Sequence, residues 1–168
     1  MEQTGYTHIV HPFGPLWDAD SRILILGSLP SVKSREQNFF YGHPQNRFWP
    51  LLAALFGEPA PGSVAEKRAL ALHRGVALWD TIYSCDIRGS SDASIRSVVP
   101  TDLRPILAGA DIRAVYCNGA TSGRYFAKYH APTLGRTATV LPSTSPANAA
   151  WTLPRLLEAW SVILEQTK

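Results

Sequence analysis

One short run constrains this chain more than any other stretch: Arg22-Ile-Leu-Ile-Leu-Gly27. A strand with one face in water alternates apolar and polar residues, whereas a strand covered on both faces is apolar throughout. This run is apolar throughout and ends at a glycine, so it reads as a strand buried on both faces. Val76-Ala-Leu-Trp79, Ala114-Val-Tyr-Cys117 and Thr137-Ala-Thr-Val-Leu141 supply three further strands.

Helical stretches fall between the strands. Residues 47–56 are apolar and of helix length, with Gly57 as a stop. Ser63-Val-Ala-Glu66 is a capping box opening a helix that runs to Arg74, with Gly75 behind it. Residues 102–108 read as a short helix and residues 120–129 as a longer one. Thr152 is placed to cap the last helix, with Pro154 tolerated in its first turn. The polar stretch 88–97 reads as a surface loop. The alternation predicts a single α/β domain over residues 1–168, a three-layer α/β/α arrangement around a central, mostly parallel four-stranded sheet. Ligands of such sheets bind beyond the carboxyl ends of the strands, so the loops at 27–31 and 142–148 are where a site is expected.

Composition narrows the class. With 45% hydrophobic and 17% charged residues, the chain is globular and not disordered. No apolar run is long enough to cross a bilayer, and residues 1–10 lack the basic-then-apolar pattern of a leader. A soluble cytoplasmic monomer is expected. The net charge of +3 suits an anionic partner without requiring one. Cys85 and Cys117 sit in apolar settings, as reduced buried thiols do, and the five histidines are scattered. Neither set has the spacing of a metal or iron–sulfur site, so neither metal nor cofactor is expected. There is no Gly-x-Gly-x-x-Gly and no phosphate-binding P-loop, which argues against a nucleotide-binding module.

Two segments carry candidate chemistry. In Phe39-Phe-Tyr-Gly-His-Pro-Gln-Asn-Arg-Phe-Trp49, Tyr41 is placed to stack on a flat base and Asn46 to hydrogen-bond a base edge, while Phe48 and Trp49 read as core. Leu141-Pro-Ser-Thr-Ser-Pro-Ala-Asn148 is a rigid loop rich in small donors, suited to phosphate oxygens.

These segments, with Gly27-Ser-Leu-Pro-Ser31, resemble the uracil-DNA glycosylase superfamily, and within it most nearly the hypoxanthine-DNA (deoxyinosine) glycosylase family. The His-Pro-x-Asn-x-Phe-Trp element is also similar to the mismatch-specific branch. Leu78-Trp-Asp-Thr-Ile-Tyr-Ser-Cys85 with Gly89-Ser-Ser-Asp92 resembles the middle motif. The chain departs from the common pattern twice. Leu29 stands where an Asp or Asn usually positions the attacking water, and Leu141 where a His or Asn usually stabilises the departing base.

The resemblance implies a monofunctional hydrolase that extrudes a deaminated base from DNA, hypoxanthine first and uracil as the alternative, with Asn46 catalytic. A catalytically inactive damage-binding protein is the other alternative. Asn46 is expected to orient a water with its carbonyl and to donate N–H to the base. Gly27, the backbone of Ser28 and Leu29, Tyr41 and His43 are expected to contact the base. Ser31, Ser143, Thr144 and Ser145 are expected to contact the flanking phosphates. Asp80 and Asn118 end strands two and three; they either read the base edge or only satisfy backbone groups.

Overall fold

The computed structural model describes residues 5–168; the first four, part of the stretch read above for a leader, lie outside the described residues. Four strands form an all-parallel sheet in the order β3-β2-β6-β7: β2 Ile23–Gly27, β3 Val76–Asp80, β6 Ala114–Asn118 and β7 Thr139–Leu141. Together with the helices this is a three-layer α/β/α domain. Ile23, Leu24, Ile25 and Leu26 have no exposed surface, so the central run is covered on both faces. Each such side chain contributes roughly 1.5–3 kcal/mol by leaving water.

Among the described residues seven α-helices connect and cover the strands: α1 Val32–Gln37, α2 Phe48–Leu55, α3 Val64–His73, α4 Arg104–Gly109, α5 Ala120–Tyr125, α6 Ala131–Leu134 and α7 Leu153–Trp160. A π-helical turn, Phe126–His130, joins α5 to α6. Helix α5 packs against β6 and β7, and α2 packs against α7. Ser63 caps α3 by accepting from Glu66 N–H, while the Glu66 carboxylate reaches back to Gly62 N–H instead of to the cap residue itself. Thr152 occupies the cap position of α7, but its side chain makes no capping bond. Phe48 and Trp49 are buried, as expected. Both cysteines are free and buried, and burial pushes the Cys117 thiol up to about 11.

A second sheet was not expected. β1 Tyr6–Val10, β4 Ile82–Arg88 and β5 Arg96–Pro100 pair antiparallel in the order β1-β4-β5. The stretch read as a surface loop is therefore the end of β4, a turn of 3-10 helix at Asp92–Ser94, and the start of β5. β3 passes into β4 through Thr81 alone, so one nearly continuous stretch of chain serves both sheets.

Candidate active site

The last residue of each parallel strand lines the same cleft: Gly27 of β2, Asp80 of β3, Asn118 of β6 and Leu141 of β7. The cleft encloses about 870 Å³, ample for one nucleotide. The loops at 27–31 and 142–148 both border it. They are not adjacent, because β6 lies between β2 and β7 and its own turn, Asn118-Gly119, stands between them. Gly119 has φ +98°, and a β-carbon there would come within 3.1 Å of the Ser143 β-carbon. Close approach and backbone conformation both require glycine at this turn.

Asn46, Thr144 and Asn118 form one chain of hydrogen bonds. Thr144 N–H donates to Asn118 Oδ1 at 3.0 Å, Asn118 Nδ2 donates to Thr144 Oγ1 at 3.0 Å, and Thr144 Oγ1 donates to Asn46 Oδ1 at 2.8 Å. Asn46 Oδ1 also accepts Phe48 N–H, the first of α2, at 2.9 Å from just ahead of the cap residue Arg47. Backbone N–H groups can only donate, so the two ends of the chain fix the orientation of both amides. Asn46 therefore keeps its carbonyl occupied twice and has its NH₂ left to offer. The water-orienting role expected for that carbonyl falls away.

Arg47, which the sequence reading passed over, holds the second loop in place. Its guanidinium donates to the carbonyls of Thr144 (3.2 Å), Ser145 (2.8 Å), Asn148 (3.1 Å) and Trp151. Two buried indoles secure the same region: Trp160 Nε1 donates to Pro142 O, and Trp49 Nε1 to Phe40 O.

The remaining expected residues separate into groups. Ser28, Leu29, Ser143 and Ser145 line the cleft. Ser143 Oγ accepts Ser145 N–H and Ser145 Oγ accepts Ala147 N–H, which leaves each hydroxyl hydrogen to donate. Ser31 also lines the cleft, but it caps α1 and donates to Ser34 Oγ, so its hydroxyl is engaged in both directions. Thr144 also borders the cleft, but it is fully buried with its hydroxyl engaged inside the Asn118–Asn46 chain, so it organises the site and has no free hydroxyl hydrogen for a phosphate. His43 is not among the cleft-lining residues, and its Nδ1 accepts Gln45 N–H within the turn.

Tyr41 lines the cleft in a left-handed backbone conformation, φ +54°. One ring face is already covered by Phe48, with centroids 4.2 Å apart. The hydroxyl points inward toward Asn118 but is buried without a partner at hydrogen-bonding geometry. Burial first, then the Asp80 carboxylate, hold this phenol far above its ordinary range, so it stays protonated. Removing an unpartnered buried hydroxyl forfeits no bond. Tyr41→Phe is accordingly expected to keep both base release and thermal midpoint at or above those of the unmodified chain. A clear drop in either would show that the hydroxyl has a partner when substrate is bound.

Two further residues gave no signal in sequence. His11 lies just beyond β1, and its Nε2 meets Asp80 Oδ2 at 2.6 Å, with both side chains buried. Arg35 of α1 is the one cationic side chain among the described residues lining the cleft. Among the described residues, no three His, Cys, Asp or Glu side chains gather as a metal site, and no helix is long and apolar enough to cross a membrane.

A hypoxanthine DNA glycosylase of Methanosarcina barkeri is 34% identical over 143 residues, covering 81% of this chain and 86% of its own. One of Methanosarcina acetivorans is 32% identical over 153 residues, covering 90% and 95%. A solution NMR structure of a candidate uracil DNA glycosylase from M. acetivorans superposes with a TM-score of 0.79 at 30% identity, over 93% of this chain and 97% of the other. The model of the uracil DNA glycosylase superfamily matches residues 15–164, and the chain belongs to that superfamily.

Proposed function

We propose that this enzyme is a monofunctional DNA glycosylase that hydrolyses the N-glycosidic bond of a deaminated base, hypoxanthine foremost, without metal or cofactor. The observation that carries the reading is the Asn46 amide, oriented by the bonded chain so that its NH₂ is the group left to face the cleft. Breaking the bond between C1′ and the base leaves the electron pair on the base and positive charge on the sugar. A fixed donor aimed at the departing base lowers that barrier without a nucleophile, provided the site excludes water. Water then adds to C1′ and gives up a proton, which the anionic base takes, directly or through solvent, so that the products are the neutral free base and the abasic sugar. No lysine lines the cleft among the described residues, which supports hydrolysis over Schiff-base chemistry. The identities to two hypoxanthine DNA glycosylases support the choice of base.

In this reading Tyr41 and the backbone of Ser28 and Leu29 contact the extruded base. Ser143 and Ser145 hydroxyls and the Arg35 guanidinium bind the flanking phosphates, and the protein works on DNA as a monomer. The deciding experiment is single-turnover product formation on duplexes carrying hypoxanthine, uracil, xanthine or no lesion, with and without EDTA. Fastest release of hypoxanthine, unchanged by EDTA, is expected. Faster uracil release would transfer the assignment to uracil, binding without release would mark a damage-binding protein, and loss on chelation restored by metal would end the metal-free reading.

The serines have a separate test. Compressing the backbone around the flipped nucleotide offsets an unstacking cost of a few kcal/mol, which single strands do not bear. The Ser143→Ala, Ser145→Ala double variant is expected to lose more activity on paired duplex than on single strands. Equal losses would mean that these side chains only shape the loop.

A further inference from the structure

The two oxygens of Asp80 are employed differently. Oδ2 meets His11 Nε2 at 2.6 Å. Oδ1 lies over Gly27, where a β-carbon would come within 2.5 Å of it. The backbone carbonyl of Asp80 accepts from Thr101 Oγ1 at 2.6 Å. The His11 ring is fixed in turn: its centroid lies 4.4 Å from that of Trp79 and 4.6 Å from that of Phe13, and its backbone N–H bonds Tyr83 O at 2.7 Å. Its Nδ1 is buried without a partner. A buried bare lone pair costs less than a buried unpartnered N–H, which fits the tautomer with its hydrogen on Nε2. The bond then runs from His11 to Asp80, and Asp80 keeps one oxygen, Oδ1, to serve the cleft that it lines.

Deamination changes the edge of a base in one consistent way. The ring nitrogen beside the exocyclic group is a bare lone pair in adenine and cytosine, and carries a hydrogen in hypoxanthine and uracil. A carboxylate only accepts, so an oxygen held opposite that position attracts the deaminated base and repels the parent. The parent does have a donor, its exocyclic amine, but that lies to one side of the ring nitrogen. A carboxylate free to rotate would reach it, whereas one held from behind would not.

We propose that His11 is a positioning residue for base selection: by holding Oδ2 of Asp80 it keeps Oδ1 as a fixed single acceptor for a ring N–H, so that the pocket takes deaminated bases and rejects their amino parents. This rests on the glycosylase reading above and adds a residue and a selection rule to it.

The test is the ratio of single-turnover release rates for hypoxanthine against adenine, and for uracil against cytosine, at one position of the same duplex. Asp80→Asn, an isosteric change whose amide can present either a donor or an acceptor, is expected to lower both ratios by about tenfold or more. His11→Ala is expected to lower them similarly, because the carboxylate loses its partner. His11→Gln, whose amide donates from a comparable reach, is expected to return them to within a few-fold of the unmodified chain. Unchanged ratios in Asp80→Asn and His11→Ala, with all rates falling together, would overturn the proposal and leave the pair a structural one. A Gln variant as unselective as the Ala variant would overturn it as well. Should His11→Ala fail to fold by circular dichroism, the Asp80→Asn ratio decides alone. The unmodified enzyme serves as the separate control: if it released no deaminated base, the glycosylase reading itself would fail, not the selection rule alone.

Discussion

Asn46→Ala is expected to slow single-turnover base release by about two to three powers of ten, the scale for losing one transition-state donor. DNA affinity should change little, because phosphate contacts supply most of it. The residue also accepts the first N–H of α2, so part of any effect of alanine would come from that lost bond, worth about 1 kcal/mol of stability. Asn46→Asp separates the two contributions. Its carboxylate still accepts from Phe48 N–H and Thr144 Oγ1, but it has no N–H to give and places negative charge against a departing base that is itself becoming negative. The aspartate variant is therefore expected to fold as well as the unmodified chain and to be at least as slow as the alanine variant. Quenched-flow product formation and fluorescence anisotropy on the same oligonucleotide measure the two quantities. An aspartate variant that releases base at the normal rate would remove Asn46 from the chemistry, with Asn118 the next amide to test.

Arg47→Ala carries the second large effect, on the loop and not on the reacting atoms. The guanidinium serves four loop carbonyls, those of Thr144, Ser145, Asn148 and Trp151. Losing a charged donor from partly buried acceptors costs about 3 kcal/mol, which at this chain length lowers the thermal midpoint by about 6–12 °C. Thr144 passes the hydrogen-bond chain from Asn118 to Asn46, so a displaced loop also turns the Asn46 amide. A misplacement of about 1 Å is enough to slow the reaction up to a hundredfold. Arg47→Lys is expected to rescue little, because one ammonium cannot reproduce a planar fork. A calorimetric midpoint and release rate equal to those of the unmodified chain would show that the loop holds itself.

The parallel sheet was legible because each of its strands is a plain apolar run, and because helical stretches fall between them. The small antiparallel sheet was not. β1 and β5 are mostly exposed, β5 holds Ser97 in a left-handed conformation, and its pairing with β4 is interrupted by register shifts. No period of two survives in such a strand. At the site, Asp80 and Asn118 were readable as polar residues at strand ends facing one crevice, and Asn46 from its loop motif. What Asn46 does with its carbonyl was not readable, because that depends on Thr144, nearly 100 positions along the chain. Thr144 was read as a surface donor for the same reason: its neighbours in sequence are solvent-facing serines, and only the tertiary fold turns it inward. His11 and Arg47 lay beyond reach, since one scattered histidine and one arginine beside an aromatic pair look ordinary until their partners are known.

The superfamily match begins at residue 15, after β1 and after His11. The part of the chain recognisable by descent and the part that forms the two sheets thus have different borders. A version starting at residue 15 would keep the whole parallel sheet, both motif loops and Asn46. It would also lay bare the flank of β4 that β1 now covers, a row of unsatisfied backbone groups that invites pairing with another molecule. Anyone grafting this fold into a fusion or trimming it for crystallisation by the family border would exchange the largely exposed edge strand β1 for the flank of β4, a strand whose side chains are mostly buried.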